Sequence, residues 1–148
     1  MLDLQFSRRL GSGSNGDVLE AFWGGVPVAV KQFDLSKRSD SYKNEVMAYK
    51  FLRDAWSKHV PEPLFISASK SGNVRFIGMT KGRKLSQEEV AEDIKHETWS
   101  NAYLNKIDVL EREYKFRHMD VWNNGGNWIL DEKKNVLIID LEHWEEEK

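Results

Sequence analysis

The chain of 148 residues has no cysteine, little net charge and no long apolar run. Without cysteine, disulfides, thiolate catalysis and cysteine-ligated zinc are excluded. A formal net charge of -2 gives no electrostatic reason to expect nucleic acid or an anionic membrane as partner. The first ten residues lack the apolar segment of a signal peptide, and no stretch approaches the length of a bilayer span. We therefore expect a soluble protein, intracellular and cytoplasmic by default, with no nucleic-acid or membrane partner.

Composition indicates one compact domain. The chain is 40% hydrophobic and 31% charged, which suffices for a sizeable core in a chain too short for a second full domain. The sequence shows neither an internal repeat nor a low-complexity linker.

Two short apolar runs near the end of the chain predict a hairpin. Residues 128–130 and 136–139 read as buried strands, and the polar residues 131–135 between them favour a turn. A hairpin brings its outer ends together, so Asn127 should lie beside Asp140.

Oxygen-bearing side chains gather around this hairpin. Asp120 precedes it, Asn127 opens it and Asp140 closes it, which is a donor set suited to magnesium with the phosphates of a substrate. The alternative is structural, with Asp120 and residues 123–126 forming a surface turn and Asp140 capping the segment after it.

A glycine-rich stretch comes after the first predicted strand, Leu4 to Leu10. Its sequence, G-S-G-S-N-G-D-V from Gly11 to Val18, fits G-x-G-x-x-G-x-V, in which glycines let backbone N–H groups approach phosphates. Residues 18–23 and 26–31 are β-rich and flank the tight turn Gly24-Gly25. The loop therefore lies within a β-hairpin, as a flap over phosphates, and does not open a helix.

The second β-rich run carries Val28-Ala29-Val30-Lys31, the pattern of the strand lysine in protein kinases. Downstream, H-M-D-V-W-N-N-G-G-N resembles the kinase catalytic loop, and I-I-D-L-E resembles the strand that ends in D-F-G. Over nearly its whole length the chain resembles the protein-kinase-like superfamily. The resemblance implies an α+β fold: a five-stranded antiparallel N-lobe with one helix over residues 1–80, and a reduced, mainly helical C-lobe over residues 81–148.

The resemblance also implies roles for individual residues, with ATP and Mg²⁺ as cofactors. Lys31 would grip the α- and β-phosphates and pair with Glu45, while Asp120 would orient the substrate hydroxyl and accept its proton. Asn127 and Asp140 would hold magnesium, and His118 would be structural. Further nucleotide contacts are expected from Gly11, Ser12, Gly13, Ser14, Asn15, Gly16, Val18, Ala29, Ile77, Gly78, Met79 and Thr80, with Ile77 behind the base.

Helices and strands can be assigned between these motifs. Ser39-Asp40-Ser41 predicts a helix cap before Tyr42, and residues 64–69 and 74–79 predict two strands. Ser86 and Glu89 form a capping-box pattern that opens a helix to about residue 94. A longer helix is predicted from about residue 97 to 115, and residues 143–148 are expected to be a charged tail, either a solvated helix end or a frayed terminus. The apolar face of the longer helix comprises Trp99, Tyr103, Ile107, Leu110 and Tyr114.

The catalytic-loop region departs from the family pattern in its spacing. Six residues, rather than four, separate Asp120 from Asn127, which makes Asn124 a rival metal ligand and Asn123 a weaker one. Met119 replaces the arginine that contacts a phosphorylated activation loop in many kinases, so control by that route is not expected.

The end of the chain departs further. Leu141 and Glu142 stand in place of the Phe and Gly of D-F-G, and the chain stops eight residues after Asp140. We expect either that a partner protein or a second copy completes the reduced C-lobe, or that the chain is a minimal kinase acting on a small or docked substrate.

The predicted function is an ATP-dependent phosphotransferase, resembling a serine/threonine kinase, that transfers the γ-phosphate of Mg-ATP to a hydroxyl on an unidentified protein or small molecule. The alternative is a nucleotide-binding pseudokinase or interaction module. A magnesium-dependent ATPase or nucleotidyl transferase is a third reading.

Overall fold

The computed structural model describes residues 4–13, 16–119 and 127–147. Within these ranges nine strands and three α-helices form an α+β fold, with a short 3-10 turn at Arg53–Ala55. The strands are β1 Leu4–Gly13, β2 Gly16–Trp23, β3 Val26–Asp34, β4 Pro63–Ala68, β5 Val74–Thr80, β6 Phe116–His118, β7 Trp128–Leu130, β8 Val136–Ile138 and β9 Trp144–Glu146. The helices are α1 Leu35–Phe51, α2 Gln87–His96 and α3 Thr98–Tyr114.

The first five strands form the predicted antiparallel sheet, in the order β1-β2-β3-β5-β4. Successive side chains of a strand point to opposite faces, so β3 divides its residues between two environments. Val28 and Val30 pack with Ala21 on one face, whereas Ala29 and Phe33 belong to the larger core on the other. Lys31 lies between Ala29 and Phe33 in this alternation and therefore shares the face that carries the larger core.

Helix α1 begins earlier than the sequence pattern predicted. The side chain of Asp34, at the end of β3, accepts a hydrogen bond of 3.0 Å from the backbone N–H of Ser36 and caps the helix. A kink comes next at Arg38, which has φ -134° and ψ 31°. The prediction of a helix start near Tyr42 was therefore wrong, because the chain is already capped at Asp34 and continues past the kink.

The capping box that opens α2 is confirmed. Ser86 Oγ accepts a hydrogen bond from the backbone N–H of Glu89. In return, the Glu89 side chain accepts a hydrogen bond from the backbone N–H of Ser86. The predicted apolar face of α3 is confirmed for Trp99, Tyr103 and Leu110, which are buried.

At 17 residues, α1 and α3 are the longest helices, and none of the helices in the described ranges has the length and apolar character of a membrane span.

The C-terminal part contains one predicted hairpin and one unexpected strand pair. Strands β7 and β8 pair antiparallel as expected, with Trp128 opposite Ile138. The expectation of a frayed tail was wrong, because β9 pairs with β6 and Trp144 stacks on Phe116 with ring centroids 5.1 Å apart. The Trp144 indole N–H also donates to the carbonyl of Asn44 in α1, at 3.0 Å.

A single buried apolar cluster joins the sheet to the C-terminal elements. It contains Phe33 and Ile77 of the sheet, Leu52 after α1, Leu110 of α3 and Ile138 of β8. Because these side chains pack together, the end of β8 is held against the Lys31 face of the sheet.

Candidate functional site

The ammonium group of Lys31 lies among three carboxylates. Its Nζ is 2.8 Å from Glu45 Oε1, 3.1 Å from Asp140 Oδ1 and 3.4 Å from Glu142 Oε2. The side chains of Lys31, Glu45 and Glu142 are almost fully buried, whereas that of Asp140 is 31% exposed. We call these four residues the Lys31 cluster. Its open side is the side of Asp140.

Each member reaches the cluster from a different part of the fold. Lys31 lies on the face of β3 that carries the larger core, and Glu45 is buried on α1 together with Ala48 and Tyr49. Asp140 and Glu142 come after β8 and flank the buried Leu141. The backbone N–H of Leu141 donates to the Glu45 carboxylate, which connects α1 directly to the segment that carries both acids.

The backbone on either side of Asp140 is held in place by hydrogen bonds and an unusual conformation. The Ile139 N–H donates to the Asn127 carbonyl at 2.8 Å, so the hairpin places Asn127 beside Ile139, the residue that precedes Asp140. The buried His118 donates from Nε2 to the Ile139 carbonyl at 3.1 Å. Asp140 itself has a positive φ of 57°, which is uncommon outside glycine and often found where a functional side chain must be aimed.

Burial and charge act in opposite directions on the ionisable groups of the cluster. Burial alone lowers the pKa of Lys31, but the three carboxylates outweigh it and raise that pKa well above its usual value. Burial raises the pKa of Glu142 to about 7, against the opposing effect of Lys31, and it also raises the pKa of Glu45. Lys31 is therefore protonated. Its single positive charge is not enough to compensate three ionised carboxylates.

The face of the sheet around Lys31 presents two rows of residues. Val18, Lys31 and Ile77 are neighbours across β2, β3 and β5, and in the next row Ala29 lies opposite Met79. Val18, Ala29, Ile77 and Met79, all predicted nucleotide contacts, thus share one face with Lys31.

Other predicted nucleotide-contact residues are distributed differently. Gly13 pairs with Gly16, and Gly11 with Val18, so the glycine-rich stretch forms the closed end of the β1–β2 hairpin, while Ser14 and Asn15 lie outside the described residues. Ser12 pairs with Asp17 in the same hairpin.

Gly78 lies opposite Val30, and a Cβ at this position would come within 2.2 Å of the Phe65 ring. The position therefore has no room for a side chain, and only the backbone of Gly78 could contact a nucleotide. Thr80, at the end of β5, donates its backbone N–H to the Glu62 carbonyl at 3.0 Å.

The predicted catalytic-loop residues Asp120, Asn123 and Asn124 lie outside the described residues, so the choice between Asn124 and Asn127 as ligand stays open. Asn127 is buried next to the hairpin end. Within the described ranges, no three His, Cys, Asp or Glu side chains form a self-sufficient metal cage. The partly exposed Asp140 nevertheless fits magnesium shared with phosphates, because that ion requires only one or two protein carboxylates.

Glu142 is the one member of the cluster to which the sequence pattern gave no role. It was notable only for replacing a glycine in the D-F-G pattern. Its position two residues from Asp140, with a leucine between them, was a signal that both acids face the same way. One of its oxygens, Oε1, is buried and has no hydrogen-bond partner among the residues that the structure describes.

No protein-family model and no curated protein matches this sequence. The function is therefore inferred from the geometry of the Lys31 cluster and from the motifs around it.

Proposed function

We propose that the chain binds a magnesium–nucleoside triphosphate on the Lys31 face of its sheet and transfers the γ-phosphate to a hydroxyl group, as a small kinase-like phosphotransferase. The observation that carries the proposal is that Lys31 contacts Glu45 of α1 and Asp140 of the hairpin at the same time. Three motifs far apart in the chain thereby meet at one ammonium group, on the sheet face next to the glycine-rich hairpin.

The cluster contains several of the groups that phosphoryl transfer would use. Catalysis of this reaction depends mainly on positioning and on neutralising charge, so a lysine held by a buried glutamate and a partly exposed carboxylate are the expected components. Lys31 would contact the phosphates, and Asp140 and Asn127 would hold a magnesium ion, which supplies charge neutralisation. In the transfer itself, the acceptor oxygen bonds to the γ-phosphorus, the bond to the ADP oxygen breaks, and Asp120 takes the hydroxyl proton.

A second candidate is a nucleotide-binding or interaction module without transferase activity. The observation that favours it is that the three carboxylates occupy all three N–H donors that a lysine ammonium has. A phosphate must displace one of them before Lys31 can bind it. In the limiting case the cluster is only a buried structural ion network.

The test is a radiolabel assay. The chain is incubated with magnesium and ATP labelled in the γ-phosphate, and label is followed onto protein and into inorganic phosphate. We expect transfer by the parent chain and its loss in Asp120→Asn and Asp140→Asn. Asp108→Asn, which makes the same chemical change at an exposed position of α3, should leave transfer intact.

Three other outcomes point elsewhere. Label that appears only as inorganic phosphate would indicate an ATPase. Saturable nucleotide binding without any release of label supports the second candidate. Absence of both binding and turnover contradicts both candidates and leaves the cluster a structural one.

A further inference from the structure

Glu142 makes the Lys31 cluster richer in negative charge than a phosphate site needs. Ionised, its three carboxylates and one ammonium carry two net negative charges. Glu45 alone would suffice to neutralise and position Lys31. The second buried carboxylate therefore needs an explanation of its own.

The three carboxylates differ in how freely they can leave Lys31. Glu45 is buried and is additionally bound to the Leu141 N–H, so it is fixed. The Glu142 side chain is fully buried, and within the described part of the chain its second oxygen has no hydrogen-bond partner that could replace Lys31. Asp140, at 31% exposure, is the member that can exchange Lys31 for a ligand entering from solvent.

This difference has consequences for an incoming polyphosphate. If Asp140 turns to a cation that arrives with the nucleotide, one N–H donor of Lys31 becomes available to a phosphate oxygen. A polyphosphate without a cation offers nothing to Asp140. It then meets a lysine whose charge is already compensated by two buried carboxylates that stay in place, in a low-dielectric setting where repulsion is strong.

We propose that Glu142 is a specificity-determining residue that cancels the attraction of Lys31 for bare polyphosphate and so restricts this site to nucleotides carrying a divalent cation. The inference depends on the proposed nucleotide site, although not on phosphoryl transfer. The burial of Glu142 behind Lys31 favours this role over direct metal binding, which needs access to water and phosphate.

The test measures binding of ADP by calorimetry, with excess magnesium and again with EDTA, at mildly alkaline pH. ADP carries the phosphates that Lys31 would contact and has no γ-phosphate to transfer. The proteins are the parent chain, Glu142→Gln and the control Glu146→Gln, which makes the same chemical change at an exposed position of β9. Thermal unfolding of each variant establishes that it is folded.

We expect the parent to bind Mg-ADP and to bind metal-free ADP far more weakly. Removal of one buried charge next to Lys31 should tighten metal-free ADP in Glu142→Gln by about tenfold or more, and change Mg-ADP by less than about threefold. Glu146→Gln should match the parent in both conditions.

Two results would overturn the inference while leaving the nucleotide site in place. In the first, the ratio of the dissociation constants for metal-free ADP and Mg-ADP is the same in Glu142→Gln as in the parent. Glu142 would then be purely structural. The second is a selective loss of Mg-ADP affinity, which makes it a metal ligand. If the parent does not bind Mg-ADP at all, the proposed nucleotide site is wrong and this inference is wrong with it.

Discussion

Two clusters in this molecule each pair one cation with three carboxylates, and they differ in burial. In the Lys31 cluster the lysine side chain is 4% exposed, whereas the side chain of Arg117, on β6, is 42% exposed. The partners of Arg117 are Glu111, Glu145 and Glu147, at 3.3, 2.7 and 3.3 Å.

The contrast between the clusters shows that the number of ion pairs does not indicate their energetic importance unless their burial is also known. Water and salt screen the Arg117 contacts, so each is worth little and each can be lost at little cost. The Lys31 contacts are buried and poorly screened, which makes the shared cation expensive to remove. In some proteins buried ion networks of this kind are retained for specificity or function, and this is the physical reason for proposing the functional site at Lys31.

The largest effect is expected from removing the buried cation. Lys31→Met leaves Glu45 and Glu142 buried without a counter-charge, and we expect a loss of about 3–5 kcal/mol in the free energy of unfolding at neutral pH. Urea unfolding followed by circular dichroism measures this. A loss below about 1 kcal/mol, the range of an exposed pair, would remove the contrast between the clusters.

A second large effect is expected from packing beside the exposed cluster. Trp144 stacks on Phe116 and packs in a tilted arrangement against Phe51, with centroid distances of 5.1 Å each, and it anchors β9 to α1. Trp144→Ala should cost roughly 2–3 kcal/mol of unfolding free energy, below the full loss of a core tryptophan because the side chain is half-buried. A negligible cost in urea unfolding would mean that the ion pairs of Arg117 hold β9 instead.

Glu142→Gln should raise the free energy of unfolding above neutral pH, whereas the two preceding substitutions should lower it. The pKa of Glu142 rises from an ordinary 4.5 to about 7 in the folded protein, so the folded state holds its proton more tightly than the unfolded state. Its contribution to stability is fully present below pH 4.5 and is lost as the pH rises to about 7.

The variant should therefore be more stable than the parent at about pH 8, by on the order of 2 kcal/mol, and nearly equal to it at about pH 5. Thermal and urea unfolding across this range test it, with Glu146→Gln as control. A difference that is constant with pH would show that Glu142 is not an ionised buried group.

The smallest effect is expected from Arg117→Met. Loss of three exposed ion pairs should cost at most about 1 kcal/mol, and the cost should shrink further in high salt. Urea unfolding at low and high salt measures both quantities. A salt-independent loss of several kcal/mol would place Arg117 in the same class as Lys31.

Local patterns in the sequence predicted most of the fold. Local composition and turn residues identified the individual strands and the β7–β8 hairpin, the resemblance implied that five strands form one antiparallel sheet, and the Ser86 capping box identified the start of α2. The start of α1 was missed because two capping sequences compete, and the earlier one, Asp34, closely follows the β-rich run that was predicted over residues 26–31. The β6–β9 pair was missed because each strand has three residues and the partners are far apart in the chain.

The site was predictable to a similar degree. The contact of Lys31 with Glu45 is the pairing that the resemblance implied, whereas the contact of Lys31 with Asp140 was not predicted. The contact of Glu142 with Lys31 depends on how β8 is packed against the sheet, which no local pattern encodes. The roles of Asp120 and Asn124 stay predictions.

The proposed nucleotide site at Lys31 is tested most directly by a calorimetric titration of Mg-ADP into the parent chain and Asp140→Asn, with Asp108→Asn as matched control. We expect saturable one-site binding to the parent and to the control, and an affinity lower by roughly tenfold or more in Asp140→Asn, because a charged contact is lost. Equal affinity in Asp140→Asn, or no binding to the parent, would contradict the assignment of the Lys31 cluster as a magnesium–nucleotide site.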